Sequence, residues 1–174
     1  MHVHFSVDLE RTESADKTYA SLGRALAFAT RLERNCLALA VLVGLRTNPL
    51  VSQDENTLGD FCAFMHKRRL GNAEQLPDDV FAVLDEARQA RDHITHKAAI
   101  DIEAQLKTDD GHARTLDGLS TAVRKMAEAD WIVCFATSVY TDKPLPSDWH
   151  SETYAEQIVN WVCEVTSKST LQEL

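Results

Sequence analysis

The sequence lacks most of the short motifs that announce a chemistry. It contains no G-x-G-x-x-G, no phosphate-binding P-loop and no H-E-x-x-H, so the dinucleotide, P-loop and zincin readings drop out. No glutamate is followed three residues later by a histidine, which removes the carboxylate di-iron bundle. Cysteine is sparse: Cys36, Cys62, Cys134 and Cys163 stand singly among apolar neighbours with no C-x-x-C spacing. They are expected as small buried hydrophobes in a reducing compartment. Basic residues are outnumbered, 18 against 27 acidic, and the net charge of −9 argues against a protein that coats polyanions. It leaves room for a local basic cleft. Long apolar runs are missing too, since the uncharged stretch from Cys36 to Leu45 is far short of a membrane span. The segment Met1 to Leu9 lacks the basic flank and apolar block of a secretory signal, so no membrane association and a cytoplasmic location are expected.

What is present reads as one all-α domain of 174 residues, an up-and-down bundle of about five helices with short connections. Residues 1–15 are expected as an arm in which Val3, Phe5, Val7 and Leu9 alternate with polar residues, the pattern of a short strand. From about Asp16 the period becomes helical through Leu22, Leu26, Ala29, Leu32, Leu37, Ala40 and Val41, and ends before Pro49. Beyond Cys36 this helix is apolar nearly all round, so it should be buried on more than one side; a second subunit is one way to do that. A second helix is predicted over 57–69, a long central one over 78–107, a fourth over 113–140 and a last over 151–168. That last helix is expected to bury Tyr154, Ile158, Trp161 and Val165, ahead of a polar tail at 169–174.

One stretch breaks this scaffold pattern. Val80, Val83, Leu84, Ala87, Ile94, Ala98 and Ile102 form a stripe on the central helix, and Arg91 falls in its middle. A guanidinium on a buried face calls for a carboxylate, an anion or a wet cleft, and Glu33 on the first helix is a candidate partner. Around Arg91 stand Asp92, His93 and His96. His93 and His96, three apart, are a weak metal pair without a clear third ligand, so no metal and no cofactor is expected. Five residues on a straight helix leave Arg91 and His96 about 140° apart. They converge only if the helix kinks between them, or if one chain's arginine meets another's histidine.

Arg91, Asp92 and His96 resemble the arginine, polar and histidine positions of the R-polar-x-x-x-H signature of the HEPN superfamily. These are small helical bundles of toxin–antitoxin, abortive-infection and RNA-guided defence systems. The resemblance extends to a five-helix bundle of this length and to a long first helix able to form a dimer face. It implies a metal-independent endoribonuclease, a toxin or defence effector, whose composite active site forms when two motifs meet across a homodimer. The implied partners are RNA and an antitoxin or other regulatory protein. In that chemistry His96 acts as general base or acid on the 2′-OH or leaving 5′-oxygen, Arg91 stabilises the phosphorane, and Asp92 orients one of them. Arg88 and His93 have the same spacing and form an alternative pair. Lys67, Arg68 and Arg69 either place cations at a helix C-terminus or contact RNA phosphates. The sequence departs from the toxin pattern at Ala98, where an aromatic residue is usual, and in its acidity. The alternative function is a catalytically inactive HEPN-like dimerisation, adaptor or RNA-binding module. An active nuclease would show an open, locally positive cleft; an adaptor would show Arg91 held in a salt bridge.

Overall fold

The computed structural model describes residues 12–42, 58–59, 61–63, 78–98 and 105–164. It is an all-α bundle. Helix α1 (Glu13–Leu42) starts earlier than its apolar period suggests, because Thr12 Oγ1 accepts the Ala15 amide at 3.2 Å and Glu13 and Asp16 fill the first turn. Glu13 to Ala15 therefore belong to α1 and not to the expected arm, whose residues 1–11 lie outside the described residues. So do the polar tail and Lys67, Arg68 and Arg69. The predicted second helix is represented by helical residues 58–59 and 61–63, where Leu58, Phe61 and Cys62 are buried.

Helix α2 (Asp78–Asp92) runs directly into a π-helical turn, His93–Ala98. Helix α3 (Asp109–Thr141) begins four residues before its predicted start. Thr108 caps it by accepting the Gly111 amide at 3.1 Å, and Asp109 and Asp110 sit at the positive end of its dipole. Asp142 ends it in the left-handed conformation, at φ 53°. Helix α4 (Ser151–Cys163) ends five residues short of prediction, because Glu164 turns left-handed at φ 52°.

α3 is the axis of the bundle and touches α1, α2 and α4. Contacts between Thr18 and His112 and between Asn35 and Asp130 show that α1 and α3 run in the same direction. α4 runs against both, with Tyr154 level with Asp130 and Arg31, and Val162 level with Arg24. The core is built from Phe28 and Leu32 of α1, Leu84 and Ala87 of α2, Val123, Met126 and Val133 of α3, and Tyr154 and Val162 of α4. Ile94, from the π-turn, is fully buried among them. The expected burial of Trp161 is corrected: it is 53% exposed. α4 buries Tyr154, Val159 and Val162, a stripe that leaves Trp161 roughly a quarter turn off its centre.

Candidate functional site

The site is assembled where α2 gives way to the π-turn beside α1. A π-turn bonds i to i+5 and widens the helix, and such turns are rare and frequently found at functional sites. Here it begins immediately after Arg91 and Asp92. Ile94 anchors the turn in the core, and the Thr95 hydroxyl donates to the Arg91 carbonyl at 3.0 Å, meeting backbone acceptors that the changed winding perturbs. Where a kink between Arg91 and His96 was one expectation, the helix changes its winding. Because residues five apart draw together on a π-turn, it reduces the angle that a straight α-helix would put between them. His93 and His96 are both exposed.

Arg91 is not free. Its side chain is 17% exposed, and its guanidinium lies 2.6 Å from Glu33 Oε1 and 2.9 Å from Asp92 Oδ1. Glu33 thus stands opposite Arg91, where a carboxylate was expected. The Glu33 contact is ionic, out of line for a hydrogen bond, and Arg91 Nε is buried without an acceptor. Asp92 also receives Arg88 at 3.4 Å, and Arg88 is held in turn by Asp85 through Nε at 3.0 Å. Arg88 and Arg91 are thus knitted to Glu33, Asp85 and Asp92, two positive charges to three negative. With one carboxylate in excess, that is an internally paired, net acidic cluster and not an open basic cleft. His93 and His96 share the turn but not the ion-pair network, and Lys67, Arg68 and Arg69 lie outside the described residues. Among the described residues no group of histidine, cysteine and carboxylate side chains has the arrangement of a metal site.

A second polar cluster escaped sequence reasoning. Asp130, 0% exposed, accepts Tyr154 Oη at 2.5 Å and Asn35 Nδ2 at 2.7 Å, and its carboxylate lies 3.2 Å from the Arg31 guanidinium. Arg31 also donates to Tyr154 Oη at 2.9 Å and lies over the Trp149 ring at 5.2 Å. Burial, with the Asp130 carboxylate beside it, pushes the Tyr154 phenol far above its ordinary range, so it stays protonated. A signal was present: Asp130 interrupts the Val123, Met126, Val133 stripe of α3 as Arg91 interrupts that of α2. With every oxygen of the carboxylate engaged, this cluster ties α1, α3 and α4 together.

The thiols offer no nucleophile. Burial raises Cys36, and it raises Cys62 and Cys134 to about 11, so they are neutral at physiological pH. Among the described residues no helix is long and apolar enough to cross a membrane. Comparison of the chain with protein-family models, with curated proteins and with solved structures finds no match.

Proposed function

We propose that this chain is a HEPN-like endoribonuclease that cleaves RNA without a metal, using Arg91, Asp92 and the histidines of the π-turn. The observation that carries the reading is the π-turn itself. It begins after the arginine of the signature and contains the histidine, where a straight helix would hold the two apart. In the proposed reaction one exposed histidine, His96, takes the proton of a ribose 2′-OH. The O2′–P bond forms as the P–O5′ bond breaks, and the leaving 5′-oxygen receives a proton from a second histidine, for which His93 in the same turn is available. The products are a 2′,3′-cyclic phosphate and a 5′-OH. Arg91 supplies fixed donors to the phosphorane. Glu33 and Asp92 hold its guanidinium until phosphate replaces one of them.

The test is cleavage of single-stranded RNA by the purified chain in excess EDTA, beside Arg91→Ala and His96→Ala variants of checked fold. Cyclic-phosphate ends made by the parent chain and lost in both variants are the expected result. Unchanged cleavage in the variants would overturn the assignment.

A second reading rests on the Arg91 ion pairs, the feature expected of an adaptor, and on the lack, among the described residues, of a basic cleft beside them. A guanidinium this buried and tied to two carboxylates also fits a catalytically silent HEPN-like module whose arginine braces α1 against α2. Intact RNA in every lane, with folding stability lost in Arg91→Ala, is what that reading expects.

A further inference from the structure

Trp161, expected in the core and found 53% exposed, lines an open cavity of about 640 Å³ where the last turn of α4 meets α1 and α3. Its other walls are Lys17 and Ser21 of α1, Leu116 of α3, and Asn160 and Cys163 of α4. That volume falls within the range of ligand sites, about 300–1,000 Å³. The walls are fixed before anything binds. Arg24 donates through Nε to the Val162 carbonyl at 2.8 Å and through Nη2 to Ser21 Oγ at 3.2 Å, and its Nη1 lies 2.6 Å from Glu164, which ties the end of α4 to α1.

Two groups in this cavity are uncommitted. Among the described residues, neither the Asn160 carboxamide nor the Trp161 indole has a hydrogen bond or a ring contact. The carboxamide thus presents donors and an acceptor, and the indole a flat apolar face with one N–H at its edge. Charge sets anions aside. The last carbonyls of α4 carry the negative end of its dipole, Glu164 adds a carboxylate, and the ammonium of Lys17 lies 2.6 Å from Glu13. A nucleotide or RNA phosphate therefore meets a surface of unfavourable sign. A neutral ligand with a ring for the indole and carbonyls for the two donors meets its complement. A proline-rich peptide has both: its rings lie flat on aromatic faces, and a polyproline II backbone makes no internal hydrogen bonds, so its carbonyls point outward and are ordered in advance. The period of three residues sets prolines at i and i+3 on one side, about 9 Å apart.

We propose that this cavity is a docking site for a proline-rich segment of another protein. One proline ring stacks on Trp161, the indole N–H and the Asn160 carboxamide donate to backbone carbonyls, and Leu116 with the stem of Lys17 receives the second proline. The site is independent of the RNA chemistry. Ser21 lies about 18 Å along α1 from Glu33 and about 120° around it, so a bound segment leaves the Arg91–His96 stretch uncovered.

NMR of the full nitrogen-labelled chain reads the binding directly, with a capped ten-residue peptide carrying two P-x-x-P repeats as probe and a glycine–serine peptide of equal length as control. The Trp161 indole and Asn160 side-chain signals are expected to shift with a dissociation constant on the order of 100 μM, while those of Trp131 and Trp149 stay in place. Trp161→Ala should weaken binding by about tenfold or more and Asn160→Ala by about fivefold, with core amides unmoved because both positions face the cavity. Arg91→Ala, the variant that tests the RNA chemistry, should bind the peptide like the parent chain. A Trp161 signal that does not move at millimolar peptide, equal affinity for the glycine–serine control, or variants at 160 and 161 that bind like the parent overturn the proposal. Shifts at Trp161 caused by AMP or oligouridine and not by the peptide overturn it as well, and give the cavity to a nucleotide.

Discussion

Gly111 shows how much a single residue can constrain this fold. A Cβ built there would lie 1.7 Å from the carbonyl oxygen of Gln105, a backbone atom that cannot swing away. Gly111→Ala is therefore expected to displace the turn that leads into α3 and cost about 1–3 kcal/mol, read as a lower urea midpoint with an unchanged slope. The thiols set a different expectation, in pH. Cys62 and Cys134 ionise near 9 in an open chain and near 11 when folded, because burial penalises the thiolate. The folded state thus holds these protons where the unfolded state has lost them. Their contribution is complete below pH 9 and disappears as pH rises through 11. Replacing both with alanine should flatten the fall in stability over that window; an equally steep fall in the double variant would assign it to other groups.

At the scale of elements, what was legible followed from periodicity. The spacing of Leu22, Ala29 and Leu32 gave α1, that of Leu119, Val123, Met126 and Val133 gave α3, and a charge inside a stripe marked Arg91 and led to Glu33. The same rule applied to α3 would have exposed Asp130. What periodicity cannot carry is winding, since the π-turn depends on how Ile94 packs and where Thr95 finds an acceptor, both products of tertiary contact. Helix ends were missed for a similar reason: Thr12, Thr108 and Glu164 act through local geometry that an apolar stripe does not encode. The turn and the Asp130 cluster each give a prediction. Thr95→Val keeps shape but removes the bond to the Arg91 carbonyl, so amide exchange at 93–98 should quicken at a cost of about 1 kcal/mol. Tyr154→Phe strips the short donor from a fully buried carboxylate and should cost about 1–3 kcal/mol. A double-mutant cycle with Asn35→Ala should show coupling, because both donors serve Asp130; strict additivity would mean that the cluster does not act as a unit.

Over the whole molecule the acidity and the proposed substrate pull against each other, and ionic strength separates their contributions. The fold class was legible in the sequence because three- and four-residue periods dominate it; of the charge on the site the Glu33–Arg91 pairing was read in advance, whereas the pairs of Arg88 with Asp85 and Asp92, three and four residues apart on one helix, were legible and not read. If phosphate contacts come from Arg88 and Arg91 alone, about two charges are neutralised. Affinity for single-stranded RNA should then fall about sevenfold between 50 and 200 mM salt. With Lys67, Arg68 and Arg69 also engaged on phosphate, the second of their two expected roles, the count is about five and the fall about a hundredfold. The net charge of −9 cannot mimic this, because screening a repulsion strengthens binding as salt rises and makes the slope shallower. The expected result is therefore the steep dependence in the parent chain, reduced to the shallow one when all three are changed to alanine. An equal slope in both would return those three cations to the plainer task of complementing a helix C-terminus.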